Sequence, residues 1–103
     1  MKFGLKQETI AQIIEVLSHY PQIDKAIIYG SRAKGTFRLG SDIDMTLVGE
    51  GLSLSVVYGL SNEIDDLLLP YTFDISILSQ ISNPDLLDHI NRVGIIFYSK
   101  TEG

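Results

Sequence analysis

The chain contains no cysteine. That excludes a disulfide scaffold and any zinc site built on thiolates, and it suits a reducing compartment such as the cytoplasm. No uninterrupted apolar run is long enough to span a bilayer as a helix. The first residues, Met1 to Glu8, carry lysines but no hydrophobic stretch of a secretory leader follows them. A soluble, cytoplasmic chain is therefore expected, with no membrane partner. Basic residues are also scarce, with eight Lys and Arg against thirteen Asp and Glu and a net charge of -5. This balance does not favour a broad nucleic-acid surface, so unaided nucleic-acid binding is not expected, although a small local basic site remains compatible with it.

The chain has 103 residues, 45% of them hydrophobic, which is enough for one packed domain spanning residues 1–103. From Gln7 to Tyr20, Ile10, Ile13, Ile14 and Leu17 recur at helical spacing, and Pro21 predicts a stop near Tyr20. A strand is predicted over Asp24–Gly30, followed by a short helical turn with Ser31 in the capping position. The stretch FRLGS reads as a loop, and DIDMTLV, Asp42–Val48, as an alternating strand. Ser53–Leu69 is predicted as a second long helix and Tyr71–Leu78 as another strand. Asn83-Pro84 reads as a helix start, the helix ending near Gly94, and GIIFYS as a last strand before a frayed KTEG tail. The order predicts an α/β (α+β) fold, a small mixed sheet packed against helices, whose strand order cannot be read from the pattern.

Side chains alternate across a strand, so Asp42 and Asp44 share one face while Ile43, Met45 and Leu47 point into the core. In the strand TFDISI, Asp74 lies on the face of Thr72 and Ser76. If the two strands are neighbours, three carboxylates converge. Close like charges resist ionisation, and a divalent cation such as magnesium relieves the conflict. The plain alternative is a solvated strand face with a turn-capping Asp42.

What tilts the balance is the stretch before it. GSRAKG follows a strand, and its glycines Gly30 and Gly35 permit close backbone approach and positive φ. Ser31 offers a hydroxyl near free N–H groups, and Arg32, Lys34 and Arg38 add local positive charge. The stretch has neither the Walker A spacing nor G-x-G-x-x-G. A basic turn for phosphates and adjacent acids for the metals that bridge them make a coherent metal–nucleotide site.

The pattern Gly30-Ser31-x-Ala33-x-Gly35, then Ser41-Asp42-x-Asp44, then a later strand aspartate, resembles the minimal nucleotidyltransferases (MNT proteins) of the DNA polymerase β-like superfamily. One departure is Lys34, where many relatives carry arginine, which loses the planar bidentate fork. The resemblance implies a polymerase β-like core that transfers a nucleoside monophosphate from ATP or another NTP to an acceptor, releasing pyrophosphate. It implies that Asp42 and Asp44 ligate two Mg2+ ions and that Asp74 completes the catalytic set. It implies that Gly30 and Ser31 contact the phosphates, with Arg32 and Lys34 as helpers. It further implies a HEPN-domain protein as partner, an antitoxin role and, in some pairs, adenylylation of that partner.

The alternative reading is a non-catalytic nucleotide-binding module that neutralises or scaffolds a HEPN partner by contact. A third is transfer to a small molecule or RNA, which such a short chain does not favour. Several residues are set aside. His19 and His89 read as surface or capping histidines, Tyr58 and Tyr71 as packing residues, and Asp65, Asp66, Asp85 and Asp88 as solvated helix positions.

Overall fold

The computed structural model describes residues 2–38 and 40–100. Thr101 to Gly103, most of the tail expected to fray, lie outside them, as does Leu39 of the FRLGS loop. Helix α1 spans Gln7–Ser18, strand β1 Lys25–Tyr29, helix α2 Gly30–Lys34 and strand β2 Ile43–Val48. Helix α3 spans Leu54–Asp66, strand β3 Phe73–Ile77, helix α4 Pro84–Val93 and strand β4 Ile95–Ser99.

The sheet order is β3-β2-β1-β4. β1 pairs antiparallel with β2 and with β4, whereas β2 and β3 run parallel. A parallel pair cannot be joined by a tight turn, and α3 supplies the crossover. The expected mixed sheet with helices is thus present.

One face of the sheet is apolar. Ala26, Ile28, Ile43, Met45 and Leu47 are all fully buried. Ile28 lies opposite Met45, which lies opposite Ile75, and Ile43 and Leu47 face Phe73 and Ile77. Ile13, Val16 and Leu17 of α1 and Val56, Val57, Leu60 and Ile64 of α3 join the same core. Ile13, Leu17, Val57, Leu60 and Ile64 follow the helical spacing legible in the sequence, whereas Leu54 and Leu68, which the same spacing assigned to the apolar face, are exposed. On the opposite face, α4 meets β1, with His89 against Tyr29 and Gly94 close upon Ile27.

Element ends differ from the sequence expectation where local chemistry is subtle. α3 stops at Asp66, short of Leu69, because Leu68 turns left-handed at φ 55 with its side chain in solvent. No glycine marks that stop, although Pro70 follows it. α4 begins as expected, the Asn83 side chain accepting from the backbone N–H groups of Asp85 (2.9 Å) and Leu86 (3.3 Å). Ser31 does not cap α2. The helix already starts at Gly30, with extended Tyr29 in the cap position and no side-chain cap. Ahead of α1, Phe3 and Gly4 both take positive φ in a tight turn closed by Leu5 N–H donating to Lys2 O at 2.8 Å. That turn sets the Phe3 ring 5.8 Å from Phe97.

A polar clasp joins the end of α1 to α3. The Tyr20 hydroxyl donates to one Glu63 oxygen, and His19 Nδ1 lies 2.8 Å from the other. Gly59 leaves room for the Tyr20 ring end. Burial, then the Glu63 hydrogen bond and charge, push the Tyr20 pKa up to about 12. The Tyr20 bond, then the His19 bond, hold Glu63 below its ordinary carboxylate value. A depressed carboxylate stabilises the fold above its unfolded pKa and loses that contribution as pH falls through the folded value. Glu63→Gln is therefore expected to melt below the wild type at neutral pH. The gap should close as the pH is lowered through the carboxylate range, which thermal melts across a pH series would read directly.

Candidate active site

The site is built where β1 turns into α2 and where β2 and β3 begin. Tyr29, Asp44 and Asp74 stand abreast on three neighbouring strands, Tyr29 opposite Asp44 and Asp44 opposite Asp74. In-register partners share a face, so the two carboxylates are neighbours. Asp42 lies one residue ahead of β2 and two before Asp44, with the buried Ile43 turned to the other side. The condition set by the sequence, that the two acidic strands be adjacent, is therefore met.

Asp44 is half-buried, whereas Asp42 and Asp74 are exposed. Burial raises the Asp44 pKa first, and the charges of Asp74 and Asp42 raise it further. Tyr29, buried beneath them, is also raised. Burial leads, the Ser76 hydroxyl opposes it, and Asp74 and Asp44 add to it. One row further along, Ser76 donates to Thr46 at 3.0 Å.

Gly30 is the hinge between the basic turn and the acids. It takes φ 74, and a Cβ there would collide with Asp44 Oδ2. Any other residue would be strained and would displace the carboxylate. Ser31 follows, half-buried, and its carbonyl accepts from Thr36 N–H at 3.0 Å. Lys34 and Arg38 are exposed. The Arg38 backbone N–H donates to Ser41 Oγ at 2.8 Å, tightening the loop before Asp42.

Arg32 departs from its expected role as a phosphate helper. It is only 3% exposed. Its Nε and one terminal nitrogen donate to Ser41 O at 3.1 and 2.9 Å, and the other terminal nitrogen donates to Phe3 O at 2.8 Å. Its charge lies between the rings of Phe37 and Tyr71, 5.4 and 5.0 Å from their centroids. A guanidinium so enclosed ties the N-terminal turn, the β1–β2 loop and the approach to β3 together. Tyr71 is a packing residue, as the sequence suggested.

Sequence reasoning missed His89. Its Nε2 accepts from the Gly30 backbone N–H at 3.1 Å, and its ring meets Tyr29 edge-on, with centroids 6.1 Å apart. The available signal was helical phase, since His89 shares the inward side of α4 with Leu86, Ile90 and Val93. Its contact with a turn far away in sequence had no local trace.

Among the described residues, no three His, Cys, Asp or Glu side chains close around one point as a metal centre. The donor chemistry nevertheless fits a hard divalent cation. It consists of carboxylate oxygens that repel one another at one end of the sheet, with a glycine that leaves room for Asp44 Oδ2.

The family model for polymerase beta nucleotidyltransferases matches residues 11–103. The chain belongs to that family. No curated protein matches it in sequence. Among solved structures it is similar to a chain of a toxin–antitoxin complex with AMP-PNP, at TM-score 0.70 and 20% identity, covering 93% of this chain and 75% of that one. It is also similar to a chain of the MntA–HepT toxin–antitoxin, at TM-score 0.68 and 18% identity over 92% of this chain and 74% of that one. A complex of a tri-AMPylated Shewanella oneidensis HEPN toxin with its MNT antitoxin gives TM-score 0.68 and 17% identity over 93% and 74%. At these identities the likeness is one of fold. Among the described residues, no helix is long and apolar enough to cross a membrane.

Three outcomes test this geometry. Arg32→Met is expected to destabilise the fold by about 2–4 kcal/mol, because the Ser41 and Phe3 carbonyls lose a charged donor, and Arg32→Lys should recover only part of that; denaturant unfolding measures both. Asp44 has a raised pKa, so the folded chain is penalised once pH exceeds its ordinary value. Asp44→Asn should therefore melt slightly above the wild type at neutral pH, by well under about 1 kcal/mol, and lose that advantage in acid. Magnesium should raise the wild-type melting temperature and leave Asp44→Asn unmoved.

Proposed function

We propose that this chain transfers a nucleoside monophosphate, AMP from ATP, to a hydroxyl on a HEPN-type partner protein, and that the transfer serves an antitoxin role. The observation that carries this reading is the row of Asp44 and Asp74 on paired strands, with Asp42 beside it and Gly30 packed against Asp44. The family supports nucleotidyl transfer. The acceptor class is suggested by the fold likeness to the MNT antitoxin found with a tri-AMPylated HEPN toxin, and the nucleotide by the likeness to a complex with AMP-PNP.

In this reading Asp42, Asp44 and Asp74 would hold Mg2+, two ions by the usual arrangement for such chemistry. Bound there, the ions would neutralise the triphosphate and make the acceptor hydroxyl more acidic. Ser31, with the backbone of the turn, holds the phosphates, and exposed Lys34 adds charge at their edge. The acceptor oxygen attacks the α-phosphorus in line. A new oxygen–phosphorus bond forms, the bond to the bridging oxygen of the β-phosphate breaks, and pyrophosphate departs. Asp74, exposed where its neighbour Asp44 is half-buried, receives the acceptor proton. Positioning and charge neutralisation supply most of the rate.

A second reading is neutralisation of the partner by contact alone. The two part on one experiment, in which the chain is incubated with α-labelled ATP, magnesium and the protein encoded beside it. The transfer reading expects label on that neighbour, reduced by about 100-fold or more in Asp42→Asn, Asp44→Asn and Asp74→Asn. Neutralisation that persists in these variants without any label would leave the contact reading standing instead.

A further inference from the structure

The Gly30 N–H opens α2 and has no partner inside the helix. Such donors are ordinarily met by a neighbouring side chain or by water. Here the acceptor is His89 Nε2 at 3.1 Å, 59 residues away on α4. The bond requires that nitrogen to be bare, so the neutral ring carries its proton on Nδ1. The same ring braces Tyr29, the last residue of β1, edge-on at an interplanar angle of 78°. His89 thus grips both residues of the strand-to-helix joint.

The joint needs a grip because of what lies on its other side. Gly30 is at φ 74 with Asp44 Oδ2 filling the space of a Cβ. A glycine at positive φ rotates at little cost, and rotation would move the surface against which the Asp44 carboxylate rests. The bond from α4 removes that freedom. It also occupies the Gly30 donor, so phosphate contacts fall to Ser31 and the residues after it.

We propose that His89 is a positioning residue for nucleotidyl transfer. It locks the Gly30 turn against Asp44 through the N–H···Nε2 bond and keeps that donor out of substrate binding. Its kinetic consequence rests on the transfer reading above, whereas the bond itself can be tested without it.

The direct test is the through-hydrogen-bond 15N–15N coupling between the Gly30 amide and His89 Nε2. It would be measured on the full chain, free and with AMP-PNP plus magnesium. The coupling is expected in both states. Its absence from the free protein, or its loss on nucleotide binding, would overturn the proposal, the latter by making the imidazole a placeholder for phosphate. The kinetic test compares His89→Leu, which has no acceptor, with His89→Gln, whose Oε1 reaches the same place. His89→Leu should lower kcat by about tenfold or more with KM for ATP within about twofold, and His89→Gln should return kcat to within about threefold of wild type. Equal losses in both variants, or a change confined to KM, would count against it. If His89→Leu does not fold, His89→Asn, whose amide is too short to reach, takes its place. If the wild type transfers no label, the transfer reading fails and the coupling alone decides the role of His89.

Discussion

Everything at the candidate site depends on the in-register parallel pairing that puts Asp44 beside Asp74. Two like charges at a partly solvated surface repel by on the order of 1–4 kcal/mol. The opposing term is on the other face of the same strand. Ile43, Met45 and Leu47 are fully buried, and each such side chain contributes about 1.5–3 kcal/mol. The core wins, so the acids are held together by residues that never touch them. Burial first, and this repulsion after it, raise the pKa of Asp44, and both are reasons for the site to take up cationic charge.

Around this row the chain is fastened by polar ties that reach far along the sequence. Arg32 joins the N-terminal turn to the loop before Asp42, using both Phe3 and Ser41 carbonyls. His89 joins α4 to the first residue of α2. Tyr20 and His19 meet Glu63, joining the end of α1 to α3. In each case a polar group at a loop or helix end is satisfied by a residue remote in sequence. The first two ties set the walls of the site, because the basic turn is short and has no core of its own.

The elements were largely legible because their signals are local. The buried faces of α1 and α3 follow the 3.6-residue repeat, the strands alternate, and Asn83-Pro84 announces α4. The common face of Asp42 and Asp44 follows from alternation alone. Other features were not legible. Arg32 looked like a free cation beside two other basic residues, and nothing nearby in sequence distinguishes it from Lys34 or Arg38. Its burial arises from Phe3, from Phe37 and Ser41, and from Tyr71, which the fold gathers from three separate places. The early end of α3 was hidden for a similar reason, since a left-handed Leu68 carries no compositional mark.

The sequence by itself determined what kinds of residue each element carries and which way they face, because periodicity and turn chemistry act over a few residues. Through its motif it also determined the family. Only the tertiary structure decided that β3 lies next to β2, that Arg32 is a buried strut, and that His89 reaches the Gly30 turn. Those are pairings between distant segments. Their energies depend on which surfaces meet in three dimensions, and no local pattern records that choice.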